Sequence, residues 1–203
     1  MEIVPEEVEP QDMYRILNSL VIPRPIAWVS SIGSDGTKNL APFSFFNISS
    51  DSEPPVVMFS PGSKDNGPKD TTKNILETEE FVVNIVTEEF VSQMDQTSTT
   101  LPYRESEWDF ADISSESSTD VTPPRVSGIK IALECRLHET VAVGEHTTIF
   151  GEVIRVHLKD SVITDGKIDT TKVNAIGRIG GSYYTSIDKL EFDSDTLDTG
   201  FNS

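Results

Sequence analysis

The sequence predicts an antiparallel, mainly β barrel with a few flanking helices. Three observations carry that expectation. Short apolar or alternating runs recur along the 203 residues, and turn-forming residues separate them. Helical periods are few and short. The one glycine cluster, Gly177-Arg178-Ile179-Gly180-Gly181, lacks GxGxxG spacing and has no βαβ unit around it, so a parallel dinucleotide fold is not supported.

The elements follow in order. Residues 1–12 are acidic and proline-bearing and read as an extended segment ahead of a barrel domain, 13–190, and an acidic tail, 191–203. Over Asp12–Leu20 the positions Met13, Ile16, Leu17 and Leu20 share one helical face, and Pro23 and Pro25 stop the helix. Residues 26–32 are a β run, Gly33-Ser34-Asp35-Gly36 is a hairpin turn, and residues 39–48 resume as a second strand or extended segment. Residues 56–60 and 80–86 read as strands, with a helix over 72–79 between them and a second helical pattern over 88–96. Residues 97–122 are a Ser/Thr-rich connection, but Trp108 and Phe110 mark it as an ordered excursion. A long strand over 128–143 places Ile129, Ile131, Leu133, Cys135 and Leu137 on one face, and 147–158 returns as its partner.

Composition excludes some functions. The net charge is −18, from 34 acidic and 16 basic residues. Such a chain has no basic footprint for nucleic acid or for an anionic membrane surface. The acidic excess is spread along the chain, which reads as adaptation to high cytoplasmic salt in a halophile, with an ordinary acidic protein as the plainer alternative. Cys135 is the only cysteine, and no Cys or His cluster has metal-ligand spacing, so no metal is expected. The acidic N-terminus has no apolar run behind it that could serve as a signal peptide. The chain therefore reads as cytoplasmic and soluble.

The most informative stretch is Pro68-Lys69-Asp70-Thr71-Thr72-Lys73-Asn74-Ile75. It gathers cations, hydroxyls and an amide where a turn-rich loop enters a helix. Two readings stand. Free N–H groups, lysines and hydroxyls at a helix start suit a phosphate. Equally, Asp70 or Thr71 could be the N-cap of that helix.

Four blocks, in order across residues 14–184, resemble the flavin reductase-like family. They are residues 22–31 (IPRPIAWVSS) with Gly36 and Asn39-Leu40-Ala41-Pro42-Phe43-Ser44; residues 68–75 with 80–84; Glu134-Cys135 with residues 144–147 and 150–153; and Arg178-Ile179-Gly180-Gly181 with Tyr183. The resemblance implies a six-stranded Greek-key split barrel, a homodimer, and FMN near the subunit interface. It implies that Asn39, Ala41, Pro42 and Ser44 border the flavin ring and ribityl chain. Ser60, Lys64, Lys69, Thr71 and Asn74 would hold the tail and phosphate, and Arg24 would join the cofactor site.

Each of these residues also has a plainer reading. Arg24 could be a surface ion-pair residue, and Lys64 could be solvated in its loop. Asn84 could satisfy a buried backbone group. His146, Arg178 and Tyr183 are the catalytic candidates, as proton donor, ring-face or nicotinamide contacts, with structural roles as the alternative. Cys135 and Trp28 read as core. The activity implied is NAD(P)H-dependent flavin reduction, with hydride passing from nicotinamide to FMN and on to a downstream oxygenase or electron acceptor. The alternatives are an FMN-bound electron carrier without NAD(P)H activity and a barrel that has lost its flavin.

Overall fold

The computed structural model describes residues 1–64, 67–102 and 105–189, with Lys64 described for its backbone alone. The acidic tail expected at 191–203 lies outside the described residues. Seven strands form the main sheet: β1 (Ala27–Ile32), β2 (Lys38–Phe43), β3 (Phe46–Ser50), β4 (Val56–Phe59), β5 (Glu80–Ile85), β6 (Ile131–Val143) and β7 (His146–Leu158). Their order is β2-β1-β5-β6-β7-β4-β3, and every neighbouring pair is antiparallel. The edge strands β2 and β3 are consecutive in the chain, so the sheet curls back on itself as a split barrel. The β4–β5 connection passes β7 and β6 in Greek-key manner.

The expected six strands are therefore seven. The stretch read as one strand over 39–48 breaks at Ser44-Phe45, and its halves lie on opposite edges of the sheet. The N-terminus also differs from expectation. Residues Pro5–Glu7 form a 3₁₀ turn, and helix α1 spans Pro10–Leu20 with proline in its first turn, where the missing N–H costs nothing. Leu17 and Leu20 on the predicted apolar face are 51% and 71% exposed.

The sheet buries both faces, which explains its near-continuous apolar runs. Ala27, Val29, Phe43, Val57, Phe59, Phe81, Val83, Cys135 and Ile149 fill the barrel interior, closed by Ile75 of helix α2 (Asp70–Thr78). Gly151 is required there, because a Cβ would lie 2.2 Å from the Phe81 ring. Burial pushes the Cys135 thiol up, so it stays protonated as a core residue.

On the other face, Trp28, Leu40, Val82 and Ala132 pack beneath the excursion, with Met94 of α3 (Val91–Gln96), Trp108 of α4 (Glu107–Phe110), Ile113, Val121 and Val126. Trp28 Nε1 donates to Thr97 Oγ1 at 2.9 Å. The ordered excursion is thus a second layer held by Trp108, while Phe110 is 54% exposed. Ile129 joins this outer cluster and not the face of β6, because the strand begins only at Ile131. Asn84 does the backbone work foreseen for it: Nδ2 donates to Trp28 O at 3.0 Å and Oδ1 accepts from the Val126 amide at 2.9 Å. No described helix is long and apolar enough to cross a membrane.

Candidate functional site

Helix α2 starts where β4 and its loop deliver the chain to the mouth of the barrel. Its N-cap is Lys69, and no side chain caps it. The capping reading of Asp70 or Thr71 is therefore corrected: both lie inside the first turn. Thr71 is buried and its hydroxyl accepts from Asn39 Nδ2 at 2.8 Å. Asn74 Nδ2 donates to Ser31 Oγ at 3.2 Å. These two bonds clamp α2 onto the β1–β2 hairpin. The Lys69 ammonium lies 5.6 Å from the centre of the Phe43 ring.

Two cavities run along edge strand β2. One, of about 350 Å³, is lined by Asn39, Ala41, Pro42, Ser63, Lys69, Asp70, Thr71, the Thr97–Leu101 loop and Glu107. Glu107 turns Oε2 to the Leu40 amide at 3.1 Å. The other, of about 550 Å³, is lined by Arg24, Ile26, Pro42, Ser44, Met94, Ser98, Arg178 and Tyr184, with residues of α1. Pro42 and Ser98 wall both, so together they follow β2 from Asn39 to Ser44, just past its end.

The larger cavity is built by a small three-stranded sheet, Arg24–Pro25 against Ile176–Arg178 against Tyr184–Ser186. Its register sets Arg24 directly opposite Arg178. Arg24 Nη1 donates to Asn18 O at 2.7 Å and Val21 O at 2.6 Å, and Nε reaches Ser44 Oγ at 3.4 Å. Burial, then the Arg178 charge, pulls the Arg24 guanidinium below its ordinary pKa. Arg178 lies 4.5 Å over the Tyr184 ring and donates to Gly181 O at 2.6 Å. Burial and a 2.6 Å hydrogen bond to Asp95 push the Tyr184 hydroxyl up to about 12.

The structure thus gathers Arg24, Asn39, Ala41, Pro42, Ser44, Lys69, Thr71 and Arg178 around one groove. Ser60, Asn74, His146 and Tyr183 are not among the residues lining either cavity. Ser60 Oγ pairs with Thr148 Oγ1 at 2.8 Å. His146 stacks on Phe45 at 5.3 Å with Nδ1 3.2 Å from Ser60 O, so it braces the β6–β7 hairpin against the Ser60 loop. Tyr183 is 71% exposed. The side chain of Lys64 lies outside the described residues. Sequence reasoning missed Tyr184, Met94 and the Thr97–Leu101 wall. Only the wall had a signal, its run of hydroxyls.

A curled antiparallel sheet closed as a split barrel, with a polar groove between a helix start and an edge strand, is the class that the fold and the groove define. The chain matches the Flavin reductase like domain over residues 18–172 and belongs to that family. A protein of Aquifex aeolicus is 42% identical to it over 186 residues, covering 91% of this chain and 94% of the relative. Among solved structures, nitrilotriacetate monooxygenase component B from Bacillus cereus superposes with a TM-score of 0.91 at 31% identity, covering 95% of this chain and 98% of the other. The 2-nitrobenzoate 2-nitroreductase of Pseudomonas fluorescens gives 0.88 at 28% identity, covering 100% and 99%.

Proposed function

We propose that this protein binds FMN and acts as an NAD(P)H-dependent flavin reductase. One observation carries the reading: the uncapped start of α2, with Lys69 and Thr71, walls the same cavity as Asn39, Ala41 and Pro42 of an edge strand. The groove fits the group. Lys69, Thr71 and the first-turn amides of α2 would hold the phosphate, and Asn39 and Ser63 would hold the ribityl hydroxyls. Ala41, Pro42 and Ser44 would border the ring, where Pro42 presents no N–H. The cavity volumes lie in the range of about 300–1,000 Å³ usual for ligand sites. Bound FMN supplies the hydride acceptor, and the protein supplies position and electrostatics. The Thr97–Leu101 segment would close one side of the groove. A protein base is not required for hydride transfer, so His146 and Tyr183 need not approach the ring.

The nicotinamide would enter through the larger cavity. The likeness to a monooxygenase component supports an oxygenase as downstream acceptor. An open apolar groove along Leu17, Val21, Phe45, Phe46 and Met58 supports a homodimer, which sedimentation would test. The spread of acidic residues supports a source with high internal salt and a cytoplasmic site of action.

The deciding experiment is the spectrum of the purified protein with FMN, before and after anaerobic NADH or NADPH. Bleaching of bound flavin is expected. Bound flavin that neither nucleotide bleaches would leave an electron carrier, and a protein that takes up no FMN would overturn the reading.

A further inference from the structure

Arg24 and Arg178 form an unusual pair for this chain. With 34 acidic residues against 16 basic ones, an arginine has many carboxylates to choose from. Yet none of the ion pairs among the described residues includes either arginine. Among the described residues their hydrogen bonds go to backbone carbonyls and to the hydroxyls of Ser44 and Tyr184. The nearby carboxylates are engaged elsewhere: Asp95 by the Tyr184 hydroxyl and Asp12 by Arg15. Like charges set directly opposite across a strand pair are destabilising, and here one of them, Arg24, is only 7% exposed. The bonds made leave Arg24 Nη2 and most of the Arg178 fork with hydrogens to give. Both arginines wall one open cavity, beside the apolar surfaces of Ile26, Met94 and Pro42.

We propose that the Arg24–Arg178 pair is an oxyanion site, taking the carboxylate or phosphate of a substrate with a flat apolar body. The site rests on the flavin reading only for what lies beside it; the paired arginines, the cavity and the lack of a carboxylate partner among the described residues stand without it. A planar oxyanion can bridge two guanidinium forks, each by charge-assisted bonds, and relieve their repulsion. The apolar wall then orients the ring of the ligand toward Pro42, which also borders the smaller cavity. In this arrangement Arg24 is held by the carbonyls at the end of α1, and Arg178 is braced on the Tyr184 ring.

The test is calorimetric titration of FMN-saturated protein, repeated on flavin-free protein, with three probes: benzoate, pyrophosphate and neutral benzamide. Benzoate or pyrophosphate should bind and benzamide should bind at least tenfold more weakly. Arg178→Gln should weaken the anion by about tenfold or more, since a charge-assisted bond contributes roughly 1.5–3 kcal/mol and about 1.4 kcal/mol is tenfold. Arg178→Lys should recover part of the loss, and the same order of affinities should hold in flavin-free protein. Tighter benzoate points to an aromatic carboxylate substrate, and tighter pyrophosphate to a dinucleotide. Equal binding of benzoate and benzamide, no loss in Arg178→Gln, or displacement of FMN by the anions would overturn the proposal. Failure to bind FMN, with anion binding intact in flavin-free protein, would overturn the flavin reading alone.

Discussion

Glu134 and the Arg24–Arg178 pair are two charged clusters at opposite ends of a logic. Glu134 is fully buried on β6, and folding satisfies it completely. Its oxygens accept from the Thr119 amide at 2.7 Å, the Asp120 amide at 2.6 Å and His157 Nε2 at 2.5 Å. Burial opposes its charge, but those bonds outweigh the penalty and hold its carboxyl below the ordinary value. Arg24 is nearly as buried, yet it meets another cation and neutral acceptors. The first cluster pins the excursion to the β6–β7 hairpin. The second leaves positive potential in a cavity. A buried charge that folding fully satisfies serves structure, and one left unneutralised beside an open cavity points to a ligand.

The sharpest test of the difference is to delete each charge. Glu134→Leu should lose about 3 kcal/mol, because it strands hydrogen-bond donors that served a carboxylate. For a domain of this size that is a melting point lower by about 6–12 °C. The pH dependence has a definite sign. A carboxyl held below its ordinary value of 4.5 adds stability above that pH and loses it as pH falls through the lower folded value. Wild type and Glu134→Gln should therefore differ most near neutrality and converge in acid. Thermal melts across a pH series would show it, and a gap that persists unchanged well below that value would assign the acid limb to other carboxylates.

A second test contrasts the other cationic end of the groove. Lys69→Met with Thr71→Ala should weaken FMN by at least about tenfold, from the loss of one or more charge-assisted bonds. Riboflavin affinity should hardly change, since that ligand has no phosphate. Equal loss for both flavins, measured by fluorescence titration, would return the α2 start to a structural role. The clamp from Asn39 to Thr71 makes this a fair contest, because its loss alone would lower the melting point without selecting between ligands.

Much of this was legible in the sequence. Most β runs and the hairpin turns report local periodicity and lie where the sequence puts them, and a helix follows Lys69 as its local chemistry suggests. The break at Ser44-Phe45 was not legible, because a strand that changes sheet edge keeps the same apolar composition. Neither was the N-cap, since Lys69, Asp70 and Thr71 are consecutive and boundaries carry little signal. His146 was drawn to the flavin by its residue type, but its register opposite Val143 places it at the hairpin tip. Tyr184 was passed over for Tyr183 because alternation in a three-residue strand gives no purchase; the pairing of Arg178 with Tyr184 decides which tyrosine turns inward. Arg24 and Arg178 were each visible, but their opposition across 154 residues of chain is a product of the fold.

The smallest expected effect is the most telling for the comparison. Arg178→Gln removes a charge from a cluster that folding left unneutralised, so its cost in stability should stay within about 0.5 kcal/mol. Two local terms oppose each other: relief of the repulsion with Arg24, and loss of the contact with the Tyr184 ring. A third acts from afar, because the variant adds to a net charge that is already −18. Salt separates near from far. At physiological ionic strength the Debye length is about 8 Å, so distant acidic residues are largely screened while the facing arginine is not. There the variant should match or slightly exceed wild type in melting temperature. At about 1 M salt, with a Debye length of about 3 Å, any advantage should vanish while both proteins melt higher through weaker self-repulsion. A loss for Arg178→Gln as large as that of Glu134→Leu, and insensitive to salt, would mean that Arg178 is a structural residue like Glu134 and that the two clusters do not differ in kind.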